Sequence, residues 1–144
     1  MVSKAFGTNV ADHHWMLGTE NSTRVKARVK ISGTTRELQP TVGTMTAGNW
    51  YHAAVTYDGS TMRVFLNGSQ FGSGSWSGSV SANPAVAVGL GNQPSGAGDR
   101  AFHGALDDVR VYNRALWPED IQALYDAGSS TFGGVKIIKW VEVQ

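Results

Sequence analysis

Residues 50–68 read W-Y-H-A-A-V-T-Y-D-G-S-T-M-R-V-F-L-N-G. Two alternating apolar runs flank Asp58-Gly59, where glycine accepts the positive φ that tight hairpin loops demand. The stretch predicts an antiparallel hairpin. With 144 residues, 41% of them hydrophobic and 16% charged, the chain has apolar material for one packed core and too little charge for disorder. Eighteen glycines, with frequent Ser, Thr and Asn, predict many tight turns between short strands, so an all-β protein is expected. The chain has no cysteine, which removes disulfides, thiolate zinc sites and thiol nucleophiles together.

Other segments extend the pattern. Residues 24–32 (R-V-K-A-R-V-K-I-S) alternate strictly, with Val25, Ala27, Val29 and Ile31 on one face and Arg24, Lys26, Arg28 and Lys30 on the other. The expected structure is a half-buried strand, its cations a solvated outer face more readily than a basic binding stripe. Asn67-Gly68 marks a second turn, followed by a Gly/Ser-rich loop at 69–79, a short apolar run at 85–90, a second glycine-rich loop at 91–99 and a long strand at 101–113. The period then changes. Pro118 suits the first helical position, Glu119 and Asp120 complement the helix dipole, and Ile121, Leu124 and Tyr125 recur at helical spacing up to Gly128, a ready C-cap. Leu116 and Ile121 stand where a hydrophobic staple places them. Residues 135–143 (V-K-I-I-K-W-V-E-V) alternate again and predict a final strand.

The hairpin segment and F-H-G-A-L-D-D-V-R-V-Y-N-R-A-L-W-P-E-D-I-Q-A-L-Y at 102–125 resemble the signature of laminin-G-like, concanavalin A-like lectin/glucanase jelly-roll modules. The likeness extends more weakly back to Val2 through S-K, H-W-M-L-G and R-V-K-A-R-V. It implies a single domain over residues 1–144: an all-β, antiparallel two-sheet jelly-roll sandwich with one short helix near the C-terminus. Trp117 stands where the family more often has Ser or Thr as the helix N-cap. The resemblance also implies a binding module in an extracellular setting, although residues 1–15 lack the apolar run of a secretory signal.

Candidate sites follow from residue chemistry. A glycosidase needs two carboxylates across the scissile bond, and the related glucanases carry theirs as E-x-D-x-x-E along a strand. The glutamates Glu20, Glu37, Glu119 and Glu142 form no such run, and no G-x-S-x-G elbow is present, so no enzyme is expected. Adjacent His13 and His14 in a strand point to opposite faces and do not simply share one ion; His52 is expected as a packed structural histidine. Asp107, in phase with Val109 and Val111, is expected to face inward, satisfied either by calcium or by backbone amides. The resemblance implies calcium there; Asp12 and Asp99 are available as further oxygen donors, though neither stands in a strong ligand motif.

For ligand recognition the expected residues are Trp76, in the loop S-G-S-W-S-G-S, with Asn92, Gln93, Asp99 and Arg100 in the second loop. Trp76 has the alternative of folding back over the sandwich edge, and Trp15, Trp50 and Trp117 are expected in the core or against the helix. A formal charge of +1 gives no global field toward nucleic acid or acidic lipid, and no apolar run is long enough to span a membrane. The expected partner is a glycan or a protein ligand. The alternatives are a structural or assembly module without a small ligand, and an ancillary domain of a secreted glycoside hydrolase system. Finally, 135–143 is expected to fill the slot of the family's opening strand, beside the 101–113 strand, within the chain as a circular permutation would, or by a strand-swapped dimer.

Overall fold

The computed structural model describes residues 2–21, 23–94, 101–128, 131–132 and 135–136. Strands β1 (Val2–Ala5), β2 (His13–Glu20), β3 (Arg24–Ile31) and β4 (Thr34–Leu38) are followed by β5 (Ala53–Tyr57), β6 (Thr61–Leu66), β7 (Ser69–Ser75) and β8 (Val88–Leu90). Helix α1 (Pro118–Gly128) precedes a small hairpin, β9 (Thr131–Phe132) with β10 (Val135–Lys136). One antiparallel sheet runs β4-β3-β2-β1-β8 and a second runs β5-β6-β7. The fold is the expected antiparallel sandwich.

The alternation of β3 places Val25, Ala27, Val29 and Ile31 in the core, where they meet Met62 and Val64 of β6 and the fully buried Met45. A register shift follows Val64, and Phe65 packs instead with Leu116 and Ile121. The staple residues thus fasten α1 to the three-stranded sheet. Trp117 is 72% exposed and does not pack the helix as expected. Its amide donates to Asp120 Oδ2 at 3.1 Å, so an acid in the first turn satisfies the cap backbone although Ser and Thr are missing.

The Asp58-Gly59 hairpin forms with Ala53 opposite Leu66 and Tyr57 opposite Met62. Asp58 Oδ1 accepts from the Ser60 and Thr61 amides at 2.9 and 2.8 Å, and Oδ2 meets Arg63 Nη1 at 2.5 Å. Asn67 (φ 51) and Gly68 (φ 80) turn the chain from β6 into β7.

Three expectations are corrected. The Gly/Ser stretch is a strand through Ser75 and not a loop, because its glycines sit where other groups approach: a Cβ on Gly72 would meet Pro40 at 2.4 Å, and one on Gly74 the Trp76 ring at 2.4 Å. Residues 101–113, expected as a long strand, form none, with only an isolated bridge at Leu106. Asp108 adopts φ 49, a left-handed conformation that interrupts extended backbone, and Arg110 turns back to grip its carboxylate through Nε and Nη2, both at 2.7 Å. The cationic face of β3 is not simply solvated: Lys26 and Arg28 are 8% and 6% exposed. Of the final segment, Val135 and Lys136 pair with Phe132 and Thr131; residues 137–143 lie outside the described residues.

Candidate functional site

The buried cations define the site. On the face of the five-stranded sheet away from the core, register aligns Gly89, Ser3, Met16, Arg28 and Glu37 across all five strands, with Lys26 beside Gly18. Lys26 pairs with Glu20, and Arg28 Nε with Glu37 Oε2 at 2.5 Å. A buried charge is tolerated only when paired in this way. The Lys26 hydrogen bond and charge hold the Glu20 carboxyl below the usual carboxylate range.

A relay of hydrogen bonds fixes the neighbouring groups. Ser3 Oγ donates to Gln93 Oε1 at 3.1 Å, Gln93 Nε2 donates to His13 Nε2 at 3.0 Å, and His13 Nδ1 donates to the Asn9 carbonyl at 2.9 Å. Arg28 Nη1, a donor only, lies 3.2 Å from His13 Nδ1 and 3.4 Å from its Nε2. The loop after β8 folds back over its own strand. A Cβ on Gly89 would lie 2.6 Å from the Asn92 carbonyl oxygen and 2.7 Å from Pro94 N, so only glycine lets Asn92 and Gln93 reach the sheet face. Ser3, Lys26, Arg28, Asn92 and Gln93 line a pit of about 80 Å³ that also takes in Phe102.

The pit offers donors from Lys26, Arg28 and side-chain amides, suited to hydroxyl or carbonyl oxygens. Its volume admits one edge of a ligand rather than a whole one, since enclosing pockets run to about 300–1,000 Å³. The acids on this sheet face, Glu20 and Glu37, are tied to cations. A general acid requires a carboxyl whose proton affinity is raised, and Glu20 moves the other way.

The profile of the concanavalin A-like lectin/glucanases superfamily, in its laminin G form, matches residues 2–122. The chain belongs to that superfamily. This laminin-G-like domain is 28% identical over 102 residues to the adhesion G-protein coupled receptor V1 of Danio rerio, covering 69% of the chain and 2% of the receptor. It also resembles the structure of an S-layer domain-containing protein (residues 221–444) from Clostridium thermocellum, with 23% identity, a TM-score of 0.46 and coverage of 71% of this chain and 51% of that one. Superfamily membership establishes the coarse character of the domain, a sandwich of the kind that serves as a binding module.

Of the expected ligand residues, Asn92 and Gln93 of the laminin-G-like domain meet in the pit, whereas Asp99 and Arg100 lie outside the described residues. Trp76 is elsewhere: its ring packs over Gly74 against the main core, and its carbonyl accepts from Tyr57 Oη at 2.7 Å. Asp107 is exposed instead of inward, because the chain around it is not a strand, and its Oδ1 accepts from the Asp108 amide at 2.8 Å. Among the described residues no three His, Asp or Glu side chains group as metal ligands. Asp12 Oδ2 accepts from the Asn9 amide at 2.9 Å. His14 contacts the Ser81 carbonyl at 2.9 Å and the Phe6 ring, a setting separate from that of His13. Ser3, His13, Lys26 and Arg28 were not expected in the site. The signal for the two cations was the β3 alternation itself; its partner strand β4, which supplies Glu37, carries no comparable pattern.

Proposed function

We propose that the protein is a non-catalytic recognition module that binds the hydroxyl-rich edge of a carbohydrate, or a polar segment of a protein ligand, over the pit formed by Lys26, Arg28, Asn92 and Gln93. The observation that carries this reading is the pair of buried, ion-paired cations beside the Ser3–Gln93–His13 relay, which preorganises donors on an open sheet face. The matched relative is named as an adhesion receptor, which supports an extracellular setting.

The test is a glycan array probed with the wild-type chain and with Gln93→Ala and Trp76→Ala. Binding that Gln93→Ala abolishes and Trp76→Ala leaves intact supports the pit; loss with Trp76→Ala alone moves the site to the β7 edge. Failure to retain any glycan favours a structural or assembly module, a reading that the small volume of the pit itself supports. An ancillary role beside a secreted glycoside hydrolase would appear as binding to that enzyme's polymer. Calcium at Asp107 would take its other oxygens from backbone carbonyls or water. A calcium-dependent rise in Tm after chelator treatment, lost in Asp107→Asn, supports it, and an unchanged Tm counts against it.

A further inference from the structure

A second cavity lies on the other side of the five-stranded sheet. Its volume is about 500 Å³, with residues 52–57 along one wall and 106–116 along the other. Trp15, Leu17 and Val29 form part of its floor, and Ile121 and Leu124 of α1 close one end. Packed interiors hold few voids larger than a water molecule, so an opening of this size and lining is a seat for apolar side chains. Two features say what kind of segment fits. Among the described residues β5 is paired on one side only, by β6, and so offers a strand edge to the cleft. Opposite it, Val109 and Val111 line the cleft while remaining 42% and 71% exposed.

We propose that residues 137–143 of this same chain occupy the cleft as a strand added to the edge of β5. The segment reads I-I-K-W-V-E-V, with Ile137, Val141 and Val143 in one phase and Ile138 and Trp140 in the other. Apolar residues on both faces suit a strand covered from two sides and disfavour a solvated tail. Reach is sufficient. Leu124 lines the cleft four residues before the end of α1, about 6 Å along the helix axis. The β9–β10 hairpin then returns the chain, setting Lys136 opposite Thr131, three residues past Gly128 and within roughly 11 Å of it. A tether this short holds the segment at about millimolar effective concentration, which favours the chain's own strand over that of a second copy.

Hydrogen–deuterium exchange on the full chain tests the seat. Residues 53–57 and 137–143 should both exchange slowly. A 1–134 chain should lose protection at 53–57 by about tenfold or more while β3 stays protected, and a synthetic peptide of residues 135–144 should restore it. Fast exchange at 137–143 in the full chain, or unchanged protection at 53–57 after truncation, would overturn the proposal. Protection present only in a dimer and lost on dilution would also overturn it, in favour of a swapped partner. If the 1–134 chain does not fold, the full-chain exchange at 137–143 decides alone.

Discussion

His52 sits against the Tyr125 ring, with centroids 6.0 Å apart, and burial first, then the charge of Arg110, lowers its pKa to about 4, against a smaller opposing pull from Asp108. In the unfolded chain the same imidazole titrates near 6.5. As pH falls through 6.5 the unfolded state takes up a proton that the folded state refuses, so stability declines from about pH 6.5 toward pH 4, by up to ~3 kcal/mol. Urea midpoints at pH 7 and pH 5 should show the decline, and His52→Gln should flatten it. Asp58 obeys the same sign at lower pH. Its hydrogen bonds from Arg63, Ser60 and Thr61 hold the carboxyl well below the ordinary range, so its contribution is complete above about pH 4 and fades as pH falls further. Asp58→Ala should cost about 1–2 kcal/mol at pH 7 and less at pH 2.5, where part of the contribution has faded; an equal cost at both pH values would contradict the assignment. Both residues were placed correctly in the sequence, His52 as a packed histidine and Asp58 at the hairpin turn. What the sequence could not reveal at this scale was Lys26 and Arg28: period two shows which face a side chain takes, and burial on that face depends on the Glu37 strand and the Gln93 loop arriving from elsewhere.

At the scale of elements, legibility followed how local the determinants are. The β5–β6 hairpin and α1 carry their own instructions, a turn dipeptide between alternating runs and a staple with a first-turn acid, and both formed as expected. β7 was hidden because its strand-forming information lies in its partner: Ser and Gly have weak strand propensity, and pairing with β6 decides the outcome. Residues 107–113 failed in the opposite sense, since their apolar alternation predicts a strand that backbone pairing does not complete among the described residues. Two substitutions probe these elements. Gly68→Ala, at φ 80 and with Gln122 Oε1 2.5 Å from the added Cβ, should lower stability by about 1–2 kcal/mol in urea denaturation. Ile121→Ala removes a 2%-exposed side chain that joins α1 to Phe65, and should cost about 2–4 kcal/mol. A loss below about 0.5 kcal/mol would mean that the helix is not fastened through this contact.

At the scale of the whole molecule the sandwich presents two unlike surfaces around one five-stranded sheet, a polar pit on one face and an apolar cleft on the other. Division of this kind would let a rigid sheet serve the proposed recognition on one side while the proposed strand completes packing on the other, and it makes the two readings separable by experiment. A ligand held only by the folded chain stabilises it by RT ln(1 + [L]/Kd), about 2.7 kcal/mol at a hundredfold excess over Kd. For a domain of this size that corresponds to a rise in Tm of roughly 8–10 °C. A glycan that engages the pit should produce such a rise in the wild-type chain and none in Gln93→Ala, whose own Tm without ligand should fall by several degrees because both part-buried relay bonds of Gln93, to Ser3 and His13, are lost. The ligand-dependent rise should persist in Val111→Ser, a substitution on the cleft side, since Val111 lines the cleft and not the pit. Equal loss of the rise in both variants would show that ligand reads the integrity of the whole sandwich instead of the donors on its polar face.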